Sequence, residues 1–164
     1  MSRTTRIMQC RPDDVFAVLA DGWNYATWVV GAARIREVED SWPEPGSRIH
    51  HSVGAWPVLL HDTTVVEHVD APRELALRAR AWPTGEARVV VRCRPDGDRT
   101  EVTIDEQAVS GPARLLPTAA QNALLNPRNA EALRRLGYLA EGRARVRPAD
   151  DGPESTSGDR DRST

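Results

Sequence analysis

Between residues 47 and 109 the chain repeats one pattern: β-branched and aliphatic residues at every second position, broken by short turn signals. That pattern suits antiparallel strands with one buried face, because side chains alternate across a strand and a one-residue slip would turn every apolar group outward. The sharpest turn is Pro95-Asp96-Gly97-Asp98, an Asp-Gly pair between two β-rich runs. It predicts Val91 opposite Val102 and Val89 opposite Ile104. The two preceding hairpins set Ala87 beside Ala79, Val89 beside Leu77 and Leu77 beside Glu67. A turn at Trp56-Pro57 sets His51 opposite His61 and Ile49 opposite Thr63. Four turns thus predict an apolar face carrying Val65, Leu77, Val89 and Ile104, with His51, His61, Glu67 and Glu106 as its polar members. The other face collects Arg78, Arg80, Arg88, Arg92 and Arg94, with His50, Asp62 and His68.

Strands are predicted at residues 5–10, 33–40, 47–54, 59–69, 74–81, 86–94 and 99–109. Between the first two, Arg11-Pro12-Asp13-Asp14 opens a helix over residues 15–20, since proline and acids suit a first helical turn. A second short helix follows within residues 23–30. Near the end, Asn126-Pro127 reads as an N-cap followed by proline at the first helical position. The helix it starts places Ala130, Leu133, Leu136 or Gly137, and Ala140 on one face. One domain spans residues 3–142, and residues 146–164, polar and rich in Gly, Pro and Ser, form a tail predicted to be disordered.

Charge and composition exclude several functions. All 22 basic residues are arginine, so a lysine Schiff base or a phosphate-loop lysine is impossible. The net charge of −2 resides in the tail, which holds three Arg and five acids, leaving a neutral body with no footprint for nucleic acid. No apolar run approaches the roughly 18–20 residues of a membrane span, and the first residues lack the apolar core of a secretory signal. Two cysteines, Cys10 and Cys93, suit a reduced compartment, so the expected location is cytoplasmic. Exclusive use of arginine points to GC-rich coding and a bacterial source.

The order β-α-α-β-β-β-β-β-β-α is carried by four pieces: residues 15–21, residues 25–32, Asp70-Ala71-Pro72-Arg73-Glu74-Leu75, and residues 128–136. Together these resemble the polyketide cyclase/dehydrase-like branch of the START-like (SRPBCC) superfamily, over roughly residues 3–142. The resemblance implies an α+β helix-grip fold, in which a seven-stranded antiparallel sheet wraps a long C-terminal helix. Between sheet and helix it implies a hydrophobic cavity for a polyketide- or lipid-like molecule. In its strand order the first strand neighbours the second and the seventh. One strand would then separate Cys10 from Cys93, about 9–10 Å and too far for a disulfide.

The expected ligand contacts are Trp28, His51, Trp56, His61, Val65, Leu77, Trp82, Val89 and Ile104. Trp56 and Trp82 each precede proline in loops at the end of the sheet carrying His51 and His61, where the family's pocket opens; Trp42-Pro43 lies at the opposite end. Trp28 is expected to pack under the cavity, and Tyr25 and Tyr138 are candidate hydroxyl contacts. His51, His61, Glu67 and Glu106 are the candidate proton-transfer groups. An imidazole titrates near neutral pH, and a carboxyl in an apolar cavity is shifted toward its neutral form unless paired, with an arginine such as Arg114 for instance. Glu67 lies too far along the face to share an ion with the two histidines, so no metal site and no cofactor are expected. Three functions remain open: a binder of an apolar or aromatic small molecule, a polyketide aromatase/cyclase or dehydratase, and an interaction module with a filled cavity. The oligomeric state is open.

Overall fold

The structure, a computed structural model, describes residues 1–55, 58–81 and 85–146. Strand β1 (Ser2–Met8) leads into α1 (Pro12–Leu19), a single 3-10 turn (Gly22–Asn24) and the one-turn helix α2 (Tyr25–Trp28). Six strands follow: β2 (Ala32–Val38), β3 (Arg48–Ala55), β4 (Val58–Asp70), β5 (Glu74–Ala81), β6 (Gly85–Asp96) and β7 (Arg99–Ser110). A second 3-10 turn (Pro112–Leu115) precedes the long helix α3 (Thr118–Val146). The strands form one antiparallel sheet in the order β1-β7-β6-β5-β4-β3-β2. This is the α+β helix-grip arrangement, with one departure from the expected pairing. The sheet is open, so β1 pairs with β7 but not with β2.

Local chemistry accounts for the ends of the elements. Asp14 accepts a hydrogen bond from the Arg11 amide at 3.1 Å and closes the first turn of α1, where Pro12 has no N–H to satisfy. After α1, the chain passes so close to β2 that a Cβ on Gly22 would lie 2.6 Å from Val38 Cγ1. Trp42 then packs on the core and donates its indole N–H to the Leu19 carbonyl at 3.2 Å. In the β6–β7 hairpin, Gly97 takes φ +65°, the left-handed conformation that glycine adopts without strain.

Two hairpins keep the predicted facing throughout, and a third keeps it only beside its turn. β5 and β6 pair as expected, with Leu77 opposite Val89 and Ala79 opposite Ala87. In β6–β7 the two turn residues are Gly97 and Asp98, so Val91 meets Ile104 and Val89 meets Glu106. This moves the register by two residues and leaves both faces unchanged. Near their turn, β4 and β5 pair as predicted for Val69 and Leu75, and Val69 packs against the core.

The β3–β4 hairpin and most of β4 differ. Ala55 pairs with Val58, so His51 faces Asp62 and Ser52 faces His61. Farther along β4 a bulge at Glu67 takes up one residue: Val66 pairs with Leu77, and His68, not Glu67, with Ala76. The two irregularities leave Asp62, Thr64 and Val66 buried. His61, Val65 and Glu67 therefore stand on the outer face, contrary to the sequence pattern. A turn shorter by one residue and a bulge both reverse facing without changing the alternation in the sequence.

Helix α3 begins nine residues before its predicted first residue, Pro127, which lies inside it. Its buried stripe is Asn129, Ala132, Leu133, Leu136, Gly137 and Ala140, while Ala130 is exposed. The stripe packs on β1 and α1 and joins Met8, Val18, Leu19, Val91 and Ile104 in a single core. Cys10 and Cys93 are buried thiols, with β7 lying between β1 and β6.

Candidate functional site

A cavity of about 260 Å³ separates the inner face of the sheet from α2 and α3. Val53, Leu77, Val89 and Ile104 form its sheet wall, Trp28 and Tyr25 cover one side, and Ala132, Asn129 and Arg128 approach from α3. The aromatic side is rigid: Tyr25 and Trp28 meet edge to face at 5.6 Å between ring centroids. Tyr25 reaches across to β4, where its hydroxyl shares a 2.9 Å hydrogen bond with Thr64. Burial pushes the Tyr25 phenol up to about 12, a shift the Thr64 hydrogen bond only partly opposes.

Besides Arg80 and Arg128, three polar residues line this mostly apolar space. His51 is 3% exposed, its ring 5.3 Å from that of Tyr25, and Nδ1 has no hydrogen-bond partner. Burial lowers its pKa below the ordinary histidine value, and the facing Asp62 carboxylate opposes that shift. Glu106 is also 3% exposed; Oε1 accepts a short hydrogen bond from the Arg128 guanidinium, whereas Oε2 has no partner. The third, Asn129, leaves Nδ2 unpaired. Among the described residues, five buried side-chain polar atoms lack a partner, and three of them line this one cavity. An unpaired buried polar group costs about 1–3 kcal/mol, so the cluster is a local concentration of unsatisfied polar groups.

Of the residues expected to form the site, Trp28, His51, Leu77, Val89, Ile104 and Glu106 do line the cavity. His61 is exposed on the outer face, and Val65 pairs there with Arg78. Glu67 is also outside, where Arg78 and Arg88 each donate to it at 2.7 Å. The reversal in β4 explains all three. Trp56 and Trp82 lie outside the described residues, as does the tail from residue 147 onward. Tyr138 stands in solvent against Arg134. The partner of Glu106 is Arg128 rather than Arg114. Arg128 and Asn129 were missed because the apolar spacing of α3 drew attention to its leucine stripe. Asp62 and Thr64 were missed because they follow from the corrected register.

No group of three or more potential metal ligands occurs among the described residues. No helix among them is long and apolar enough to cross a membrane. The sequence profile described as "Polyketide cyclase / dehydrase and lipid transport" matches residues 1–141. The chain belongs to this family. Its fold is shared with distant solved structures. One is the di-domain ARO/CYC StfQ from the steffimycin biosynthetic pathway, at 14% identity and a TM-score of 0.67, matching 88% of this chain and 51% of that one. A second is a Rhodobacter sphaeroides protein, at 20% identity and a TM-score of 0.66, matching 85% of this chain and 91% of that one. A third is DynU16, described as a putative protein in the dynemicin biosynthetic locus, at 23% identity and a TM-score of 0.61, matching 86% of this chain and 47% of that one. The chain thus spans about half of StfQ and of DynU16. No curated protein sequence matches it.

Proposed function

We propose that the protein binds a hydrophobic or aromatic small molecule, polyketide- or lipid-like, in the cavity between the sheet and α3. The observation that carries this reading is that three residues lining a mostly apolar chamber, His51, Glu106 and Asn129, each hold a buried polar atom without a partner. A carboxylate only accepts, an amide nitrogen only donates, and a neutral imidazole offers one of each. The complementary ligand is a largely apolar skeleton that carries a hydroxyl and a carbonyl oxygen near each other. Titration with naphthol, a fused aromatic with one hydroxyl, tests the reading by calorimetry and by quenching of tryptophan emission. Saturable binding that weakens about tenfold in Glu106→Gln supports it, given that hydrogen bonds to charged groups are worth about 1.5–3 kcal/mol. Absence of binding, or equal binding after that substitution, removes it.

A second reading, an aromatase/cyclase or dehydratase, draws on His51. Its burial keeps the ring neutral near pH 7, so Nδ1 can take a proton from the acidic methylene between two ketones while the Asn129 amide donates to the enolate oxygen. The enolate then attacks a second carbonyl of the same chain, and the proton returns to the alkoxide. Incubation with a reactive poly-β-ketone mimic checks this. Native protein should alter the product distribution, and His51→Ala should restore the spontaneous one.

A further inference from the structure

Beside the main cavity lies a second chamber of about 120 Å³, lined by Ala108 on β7 and by Leu116, Gln121, Leu124 and Leu125 at and after the turn into α3. Ala87, Glu106 and Arg128 line both spaces. The Glu106–Arg128 ion pair, which joins sheet to helix, is therefore a bar standing between the two spaces. Taken alone, the main cavity falls just short of the roughly 300 Å³ at which small-molecule sites begin, and the second chamber carries the total past it. At about 30 Å³ for each water-sized group, the smaller chamber holds roughly four such groups.

The chemistry at the bar is one-sided. Oε1 of Glu106 is taken by Arg128, and the buried Oε2 has no partner. A carboxylate held by a guanidinium can only accept, so whatever completes it must donate. We propose that the second chamber is a subsite for the short arm of an elongated ligand. The ligand bears a hydroxyl between two apolar arms, donates that hydroxyl to Glu106 Oε2, places its longer arm in the main cavity and seats a butyl-sized arm against Ala108 and Leu125. This rests on the main cavity being a ligand site and adds to it a second binding surface and a fixed position for the hydroxyl.

Three eleven-carbon probes separate these points by calorimetry: a secondary alcohol with one butyl and one hexyl arm, its matching ketone, and the isomeric alcohol with one methyl and one nonyl arm. The butyl-hexyl alcohol is expected to bind about tenfold more tightly than its ketone, the order expected for one hydrogen bond to a charged group, and Glu106→Gln should erase that preference. It should also bind more tightly than the methyl-nonyl isomer. Ala108→Leu, which fills the second chamber, should abolish that advantage and leave the isomer's affinity unchanged. If Ala108→Leu does not fold, Leu125→Trp fills the same space from α3. Equal binding of alcohol and ketone, or an arm preference that survives both filling substitutions, overturns the proposal while the main cavity stands as a site. Failure of all three probes to bind in a protein that binds naphthol overturns this proposal alone, and failure of naphthol as well overturns both.

Discussion

The two faces of the sheet use the same residue types and leave them in opposite states. Outside, arginines and acids are saturated: Glu67 holds Arg78 and Arg88, Arg92 bridges Glu74 and Asp105, and Asp105 also holds Arg3. Arg3 and Arg92 keep the Asp105 carboxyl below its ordinary value, with the Arg3 hydrogen bond the main cause. Inside, the Glu106–Arg128 ion pair leaves half of its carboxylate unsatisfied, and the same cavity is lined by residues with an unpaired imidazole nitrogen and an unpaired amide. Partners on the outer face come from the fold, and on the inner face the fold leaves three polar atoms without them. The solvated ladder is worth little per pair, because water competes for both charges, whereas each group in the cavity is energetically exposed to any change around it.

This contrast predicts a ranking of effects. Arg128→Met leaves Glu106 as an uncompensated buried charge and should cost about 3–5 kcal/mol in urea unfolding. A cost below about 1 kcal/mol would place the inner pair in the same class as the outer ones. Tyr25→Phe strands the buried Thr64 hydroxyl and should cost about 1–2 kcal/mol. In ultraviolet titration of the native protein, one phenol should ionise only near pH 12, and this phase should vanish in Tyr25→Phe.

His51 sets a pH dependence smaller than these. Its folded pKa is lowered, so between that value and the unfolded value of about 6.5 the unfolded chain binds more protons than the native one. The contribution is fully present above about pH 6.5 and is lost as the pH falls through the folded pKa. His51→Gln should flatten this part of the stability profile. The smallest effect belongs to the outer face: Glu67→Gln, despite touching two arginines, should change stability by less than about 1 kcal/mol. Added salt should shrink that difference further and leave the Arg128→Met effect largely intact.

The fold was legible because its strongest local signals fall where topology needs them. Alternation fixed β5, β6 and β7, and even a two-residue error in the last hairpin preserved their facing. The site was legible only as far as register was. Leu77, Val89, Ile104 and Glu106 follow from hairpins whose faces survive, so they stand on the cavity side as expected. His61, Val65 and Glu67 depend on the length of one turn and on a bulge, which no periodicity reveals. Pro127 misled for a different reason. Proline at a first helical position is common, but a helix can continue around it where the preceding turn lies at the surface, as exposed Leu124 and Asn126 do here. Arg128 and Asn129 then entered the cavity from a helix that had been read only for its apolar stripe.

The bulge at Glu67 has a genetic consequence. Loss of one codon there would restore regular alternation through β4 and force the strand to choose which end keeps its register with β5. If the end near Asp70 prevails, Asp62 and Thr64 leave the buried face of β4, His61, Thr63 and Val65 replace them, and Tyr25 loses its hydroxyl partner. A single in-frame deletion therefore exchanges the buried face of most of one strand in one step, a change that point substitutions would reach only through several intermediates.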